Sequence, residues 1–298
     1  MRYTIASYLA HATQQLHDAN IDSAQLDASV IVAHNMHVDR AWLIVHGDEE
    51  LESLKVRKFE SLLRRRLDRE PIAYIVGHKE FYGRDFTVTP DVLIPRPETE
   101  TMIEMIKKIH HITEEKSHEK DNPFHKGKKL LDVGCGSGCI GITAKLEMPE
   151  LDVTMCDISK PALAIARKNS EKLHAEVTIA RSDLLCAFLS PSKIQNPKSK
   201  IYFDAILANL PYVDRTWQTS PELRHEPGVA LYAGEQGLQL IKTLISQAPS
   251  VLAPHGYVLL EADPCQHEQI VEYGKLHGFT SVEVKDYIVT MQKIVHRS

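Results

Sequence analysis

Strand-like and helix-like segments alternate along the chain from Lys129 onward, and this alternation restricts the fold more than any other feature. Apolar runs typical of strands lie at 129–134, 151–157, 176–183, 203–210 and 257–262. Helical patterns separate them, for example at 161–173 and 238–251. Such alternation predicts an α/β fold, in which a parallel sheet carries helices on both faces. Two further runs, at 280–286 and 292–297, are expected to close the sheet as a terminal hairpin.

The residues before this region have a different pattern. Apolar side chains recur at helical spacing through residues 1–80, which predicts a small helical domain. The stretch 86–95 alternates and is rich in β-branched residues, so we expect a β-hairpin connector at 81–95 and a larger domain at 96–298. The basic stretch 55–70 fits either the solvated face of an amphipathic helix or a nucleic-acid contact. Residues 110–129 are polar and charged, which predicts a surface loop.

Charge and cysteine usage exclude several classes of protein. The five cysteines contain no Cys-x-x-Cys pair, which argues against a disulfide framework or a zinc site. The formal net charge of −5 disfavours a large non-specific nucleic-acid surface. No apolar run reaches the roughly 18 residues of a membrane span, and the N-terminus lacks the apolar core of a signal peptide. We therefore expect a cytoplasmic protein with no membrane partner and no metal.

The first strand of the alternating region ends in a glycine-rich turn. Gly134, Gly136 and Gly138 alternate with Cys135 and Ser137 before a helix. Glycines allow a tight turn and let a ligand approach the backbone, and the helix N-terminus offers free N–H groups. The turn also matches the dinucleotide fingerprint literally, although tight strand-to-helix turns need glycine for structural reasons alone.

The ends of the next two strands strengthen the ligand interpretation. Asp157 lies 21 positions after Gly136, where a carboxylate can accept hydrogen bonds from ribose hydroxyls. Asp183 and Leu184 end the following strand and could bracket an adenine with one polar and one apolar contact. Either aspartate alone could be a helix cap. Together, three strand ends at the carboxyl edge of one sheet predict an adenosine-containing ligand.

The fourth strand ends in Asn209-Leu210-Pro211-Tyr212, which suits methylation of an NH₂ group on a planar, conjugated acceptor. Such a nitrogen is a poor nucleophile because its lone pair is delocalised. The Asn209 side-chain oxygen and the Leu210 carbonyl could accept its two protons and stabilise the positive charge that develops on it. Pro211 restricts the backbone of Leu210, and Tyr212 supplies a ring for stacking. The ligand would then be S-adenosylmethionine, and catalysis mainly positioning.

The glycine turn and the tetrapeptide resemble those of amino-group methyltransferases with an Asn/Asp-Pro-Pro-Tyr motif, although Leu210 replaces the first proline. Residues 71–100 closely resemble the segment before the catalytic domain in release-factor glutamine methyltransferases, the HemK/PrmC family. Residues 226–238 resemble the segment that follows their tetrapeptide. The resemblance covers nearly the whole chain and implies a Rossmann-like S-adenosylmethionine-dependent methyltransferase sheet with an N-terminal helical domain that helps to hold the protein substrate.

The resemblance also implies a reaction and a site. The reaction is N5-methylation of the glutamine in the Gly-Gly-Gln motif of class-1 peptide chain release factors. The tetrapeptide Asn209 to Tyr212 would grip the glutamine amide and form the catalytic site. The residues expected to contact the cofactor are Gly134, Cys135, Gly136, Ser137, Gly138, Asp157, Asp183, Leu184 and Asn209.

Three other functions fit part of the sequence. A methyltransferase acting on adenine N6 or guanine N2 would use the same tetrapeptide, but it would need a nucleic-acid module, which the acidic balance disfavours. A non-catalytic nucleotide-binding module would not need Asn209 and Tyr212. A nicotinamide dehydrogenase would explain the glycines but not the tetrapeptide.

Overall fold

The structure, a computed structural model, describes residues 2–115, 128–189 and 202–295, with no side-chain detail for 111–115. The described chain divides into two compact units. The first comprises residues 1–78 and 219–225, and the second comprises residues 79–218 and 226–298. None of the described helices is long and apolar enough to cross a membrane.

The first unit is helical. It contains α1 (Ile5–Asp18), α2 (Ala24–Met36), α3 (Arg40–Val45), α4 (Ser53–Leu67), α5 (Ile72–Val76) and a 3₁₀ turn at Pro221–His225. Thr4 begins α1 with a capping box, in which its hydroxyl accepts from the Ser7 amide. The apolar faces of the helices meet in one core, with Tyr8, Leu16 and Phe59 among its fully buried members.

The basic stretch of the sequence forms α4, and one of its arginines faces inward. Arg66 is buried and donates to Asp27 at 2.7 Å and to Glu222 at 3.1 Å, so two carboxylates neutralise it. The exposed face of α4 carries Lys55, Arg57, Lys58 and Arg64. The helix is therefore amphipathic, with an exposed basic face, which fits both interpretations of the stretch.

The second unit contains a seven-stranded sheet, and its α/β class is the predicted one. The strands are β3 (Lys129–Val133), β4 (Asp152–Asp157), β5 (Thr178–Arg181), β6 (Phe203–Ala208), β7 (Leu252–Glu261), β8 (Phe279–Lys285) and β9 (Ile288–Lys293). Their order is β5-β4-β3-β6-β7-β9-β8. The strands from β3 to β7 pair in parallel, and β9 runs antiparallel to both β7 and β8.

Helices cover both faces of this sheet. They are α6 (Glu100–Glu115), α7 (Cys139–Glu147), α8 (Lys160–Lys172), α9 (Cys186–Leu189), α10 (Gln239–Gln247) and α11 (His267–Leu276). One core cluster joins the sheet to α6, α7 and α8, and a second joins it to α10 and α11. The strand order reverses between β3 and β6, where open α/β sheets form a crevice for ligands.

The predicted connector at 81–95 is only partly a hairpin. The two strands are β1 (His78–Phe81) and β2 (Arg84–Thr87), so most of the alternating stretch 86–95 is irregular. Pro90 and Pro95 lack the N–H group that a strand ladder requires, which explains why alternation did not produce pairing there. The irregular segment instead lines the cavity described below.

Two other predictions need correction. The proposed surface loop at 110–129 begins inside α6, where His110 is 4% exposed and lies 2.7 Å from Glu150; residues 116–127 fall outside the described part of the chain. The last strand, β9, lies at 288–293 rather than at 292–297. A tight turn at Asp286, which has a positive φ of 52°, places it earlier than the apolar pattern indicated.

Candidate active site

A single cavity of the second unit brings together most of the predicted site residues. It lies at the carboxyl edge of the sheet, next to the ends of β3, β4, β5 and β6. The predicted residues in its lining are Gly134, Cys135, Gly136, Ser137, Asp157, Asp183, Leu184, Asn209, Leu210 and Pro211. Two predicted residues, Gly138 and Tyr212, are not among those that line it. The segment 91–96 forms another part of its wall.

The glycine turn owes its shape to left-handed backbone conformations. Gly134, Gly136 and Gly138 have φ values of 73°, 54° and 82°, which L side chains rarely adopt. A Cβ at Gly138 would lie 2.8 Å from Ile142 Cδ1, so this glycine serves packing at the start of α7. At Gly136 a Cβ would meet nothing within 4 Å, which leaves its backbone open to a ligand.

Asp132 supports the first turn of α7, the helix that follows the glycine turn, and it was not predicted from the sequence. Its side chain is fully buried, and Oδ2 accepts from the Gly141 amide at 2.9 Å. Burial raises the pKa of Asp132 to about 7, although the Gly141 hydrogen bond favours the charged form. The sequence signal that could have identified Asp132 is a carboxylate inside the otherwise apolar part of β3.

Asp157 has two roles in the structure. Its Oδ2 accepts from the Gly136 amide at 3.0 Å and its Oδ1 from the Ser159 amide at 2.8 Å, so the carboxylate braces the glycine turn and the start of α8. Each oxygen retains a second lone pair for a ligand hydroxyl. Asp183 is exposed, two residues beyond the end of β5, and Leu184 follows with a positive φ of 45°.

The tetrapeptide leaves β6 at the same edge. Asn209 is half-buried, and its Nδ2 donates to Thr99 Oγ1 at 3.2 Å, which leaves the side-chain oxygen available as an acceptor. Leu210 is buried and packs so closely on the glycine turn that a Cβ at Gly134 would lie 3.0 Å from its Cδ2. Tyr212 is half-buried beside the second core cluster, and its hydroxyl donates to Glu261 at 3.4 Å.

Further residues hold the tetrapeptide from distant parts of the sequence. Gln266 is buried, and its Nε2 donates to the Tyr212 carbonyl at 2.9 Å and to the Gln236 carbonyl at 2.8 Å. Gly237 has a φ of 85°, and a Cβ there would lie 1.9 Å from the Tyr212 carbonyl oxygen. Only glycine fits this position. Thr99 and Gln266 carry no local signal in the sequence, whereas Glu261 stands out as a carboxylate at the end of an apolar strand.

Glu226 fixes the irregular wall of the cavity. This buried carboxylate accepts from the Ile94 amide at 3.1 Å and from the Arg96 guanidinium. Both partners belong to the segment 91–96. The Glu226 carboxylate thus supplies hydrogen bonds to a segment whose prolines prevent strand pairing. It holds the cavity wall in place without lining the cavity itself.

The thiols around the cavity are unsuited to nucleophilic catalysis. Burial raises the pKa of Cys135 well above its ordinary value and that of Cys139 to about 12, so both stay neutral at physiological pH. All five cysteines are free. Within the described residues, no three His, Cys, Asp or Glu side chains come together as a metal site. The arrangement offers hydrogen-bond acceptors and shape rather than a covalent nucleophile.

Comparison with known proteins identifies both parts of the chain. Residues 7–77 match the family described as PrmC N-terminal domain, and residues 117–226 match the methyltransferase small domain. A methyltransferase of known structure from Pyrococcus furiosus has a TM-score of 0.49 and 19% identity, with coverage of 79% of this chain and 100% of that one.

Curated relatives extend the similarity over nearly the whole chain. A protein of Koribacter versatilis named release factor glutamine methyltransferase is 36% identical over 88% of this chain and 89% of its own. One of the same name from Neisseria gonorrhoeae is 34% identical over 91% and 92%. A bifunctional methyltransferase of Rickettsia felis is 33% identical over 94% of this chain but only 55% of its own. The chain belongs to the release factor glutamine methyltransferase family.

Proposed function

We propose that this chain transfers the methyl group of S-adenosylmethionine to the side-chain nitrogen N5 of the glutamine in the Gly-Gly-Gln motif of class-1 release factors. The observation that carries the proposal is the hydrogen bonding of the Asn209 side-chain amide. Its amide nitrogen is held by Thr99, so its oxygen is left as an acceptor at the cavity wall. An acceptor placed there suits an NH₂ group, which has protons to donate.

The cavity residues fit the proposed cofactor. The open backbone at Gly136, the remaining lone pairs of Asp157 and the Asp183–Leu184 pair offer contacts for an amino-acid end, a ribose and an adenine, respectively. The two carboxylates also suit a cationic ligand. S-adenosylmethionine, when bound, supplies a methyl group activated by the positive sulfur.

The tetrapeptide is proposed to prepare the acceptor nitrogen. Asn209 Oδ1 and the Leu210 carbonyl would each accept one amide proton, which favours localisation of the lone pair and stabilises positive charge as the methyl group arrives. Pro211 restricts the backbone angles of Leu210 and thereby the direction of its carbonyl. Stacking of the Tyr212 ring on the planar amide would set the angle of attack. No general base is needed until the product loses its proton.

The helical unit is proposed to hold the release factor. The basic face of α4 and the exposed apolar side chains Ile44, Val45 and Leu54 offer the mixed surface that protein partners use. The net charge of −5 and the confinement of this basic face to one helix disfavour the nucleic-acid alternative.

The test is methyl transfer from labelled S-adenosylmethionine to four substrates. These are a purified release factor, the same factor with Gly-Gly-Ala in place of Gly-Gly-Gln, a short Gly-Gly-Gln peptide, and a mixture of duplex DNA and RNA. We expect label on the intact factor, none on the alanine variant, and a higher KM for the peptide. Label on nucleic acid would overturn the substrate assignment, and equal KM values would remove the role given to the helical unit.

A further inference from the structure

Glu261 is a buried carboxylate that the proposed reaction does not yet use. It is the last residue of β7 and is 1% exposed. Its Oε1 accepts from the Tyr212 hydroxyl at 3.4 Å, while its buried Oε2 has no hydrogen-bond partner within the described residues. Burying a carboxylate is costly, so its presence beside the tetrapeptide needs a reason.

Thr99 is next to this carboxylate, whose pKa its side chain lowers, and it also contacts Asn209. The Thr99 side chain is 1% exposed, and its oxygen already accepts from Asn209 Nδ2 at 3.2 Å. A hydroxyl that accepts still has one proton to donate. The Thr99, Tyr212 and Asn209 side chains all favour the charged form of Glu261, so the polar groups around it are arranged for a carboxylate.

The direction of these hydrogen bonds depends on the Glu261 proton. An ionised carboxylate would attract the Thr99 hydroxyl proton. The Thr99 oxygen would then accept from Asn209 Nδ2, as it does in the structure, and the Asn209 oxygen would remain free for the substrate. A protonated Glu261 can donate to Thr99 instead. The Thr99 proton would then turn toward Asn209 and favour the flipped amide, which presents its NH₂ group to the substrate. Such a group would repel the acceptor nitrogen's protons.

We propose that Glu261 is a positioning residue whose ionised carboxylate, acting through the Thr99 hydroxyl, holds the Asn209 amide with its oxygen toward the acceptor nitrogen. The proposal rests on the proposed function, because it concerns how the same site orients its acceptor group. Tyr212 is fixed by the same carboxylate, so one buried charge sets two residues of the tetrapeptide.

The surroundings of Glu261 place its ionisation near neutral pH. Burial raises the pKa of Glu261 to about 7, and the charge of Glu98 raises it further, while the polar side chains named above oppose both effects. The other titratable groups near this site are the Tyr287 hydroxyl and the Arg96 guanidinium beside Tyr212, and the Cys139 thiol. The carboxylate can therefore respond to pH within the range of an activity assay.

The experiment compares Glu261→Gln, Thr99→Val and Thr99→Ser with the parent protein. Steady-state kcat and KM for the release factor are measured from pH 5.5 to 9, and S-adenosylmethionine affinity is measured by calorimetry. Glu268→Gln, an exposed carboxylate on α11, serves as the matched control. The acceptor amide does not titrate in this range, so an inflection that is lost in Glu261→Gln alone reports Glu261.

We expect the parent kcat to rise with pH through an inflection near 7. In Glu261→Gln and Thr99→Val, kcat should fall about tenfold to a hundredfold with cofactor affinity within about threefold of the parent, since an acceptor is misoriented rather than removed. The inflection should disappear in Glu261→Gln. If the ionisation of Asp132 caused the inflection instead, it would persist in this variant, because Asp132 is unchanged there. Thr99→Ser keeps the hydroxyl and should retain most of the activity.

A Glu261→Gln variant with parental kcat and an unchanged pH profile would overturn the proposal. Equal losses in Thr99→Val and Thr99→Ser would also overturn it, because the hydroxyl would then carry no orienting role. Failure of the proposed function looks different, since the parent protein itself would not label the release factor.

Discussion

Replacement of Asn209 by alanine tests the central chemical step. The change removes one of two proposed acceptors for the amide protons and leaves the Leu210 carbonyl in place. Removing a single preorganised hydrogen-bonding group of this kind costs about 10²–10³ in kcat, or about 3–4 kcal/mol of transition-state stabilisation. We therefore expect Asn209→Ala to lower turnover on the release factor by at least about a hundredfold.

The structure limits the other effects of this substitution. Within the part of the chain that the structure describes, the Asn209 side chain donates one hydrogen bond, to Thr99 at 3.2 Å, and it is only half-buried. Loss of that bond should lower the free energy of unfolding by about 1 kcal/mol. The proposed cofactor contacts of the glycine turn and Asp157 do not depend on the Asn209 side chain. The cofactor affinity of Asn209→Ala should therefore stay within a few-fold of the parent value.

The assay is single-turnover methyl transfer at saturating cofactor, with cofactor affinity and urea unfolding measured on the same samples. Asn209→Asp is the informative companion because a carboxylate retains an acceptor. It should fall between the parent and the alanine variant. If Asn209→Ala turns over within tenfold of the parent while binding cofactor normally, the amide oxygen is not the acceptor that we propose.

Two further predictions concern the supports of the site. Gly237→Ala should lower the free energy of unfolding, measured in urea, by at least about 2–3 kcal/mol. A Cβ there would lie 1.9 Å from the Tyr212 carbonyl oxygen, and the φ of 85° is strained for alanine. Stability equal to that of the parent would contradict this steric reasoning. Asp132, whose carboxyl pKa is raised from 3.8 to about 7, disfavours the folded state increasingly as pH rises from about 4 to 7. Asp132→Asn removes this penalty, so the stability of the variant relative to the parent should increase by about 3 kcal/mol between pH 5 and pH 8. A pH-independent difference would refute the assignment.

The sheet and the edge that carries the site could be predicted because their signals are local. Each strand is a short apolar run, and the residue that follows it is read directly from the sequence. Gly134, Asp157 and Asn209 were placed in this way, and the structure brings all three to one cavity. Their roles toward cofactor and substrate stay predictions.

The supporting residues could not be predicted, because each acts over a long sequence separation. Thr99 is 110 positions from Asn209, and Glu226 is 132 positions from Ile94. A single polar residue in a loop has no periodicity to reveal its partner. Glu261 and Asp132 are different, since a carboxylate within an apolar run is itself unusual and could have marked them as functional.

The surroundings of Leu210 show how the tetrapeptide backbone is restrained without the usual first proline. A proline restrains its position through its own ring, whereas Leu210 is restrained by burial of its side chain and by Pro211 after it. That side chain packs on Gly134, where even a Cβ would come within 3.0 Å. The residue proposed to hold the substrate amide therefore lies directly on the turn proposed to hold the cofactor. Movement of either would press on the other, so we expect the leucine side chain to couple the two proposed binding sites through packing.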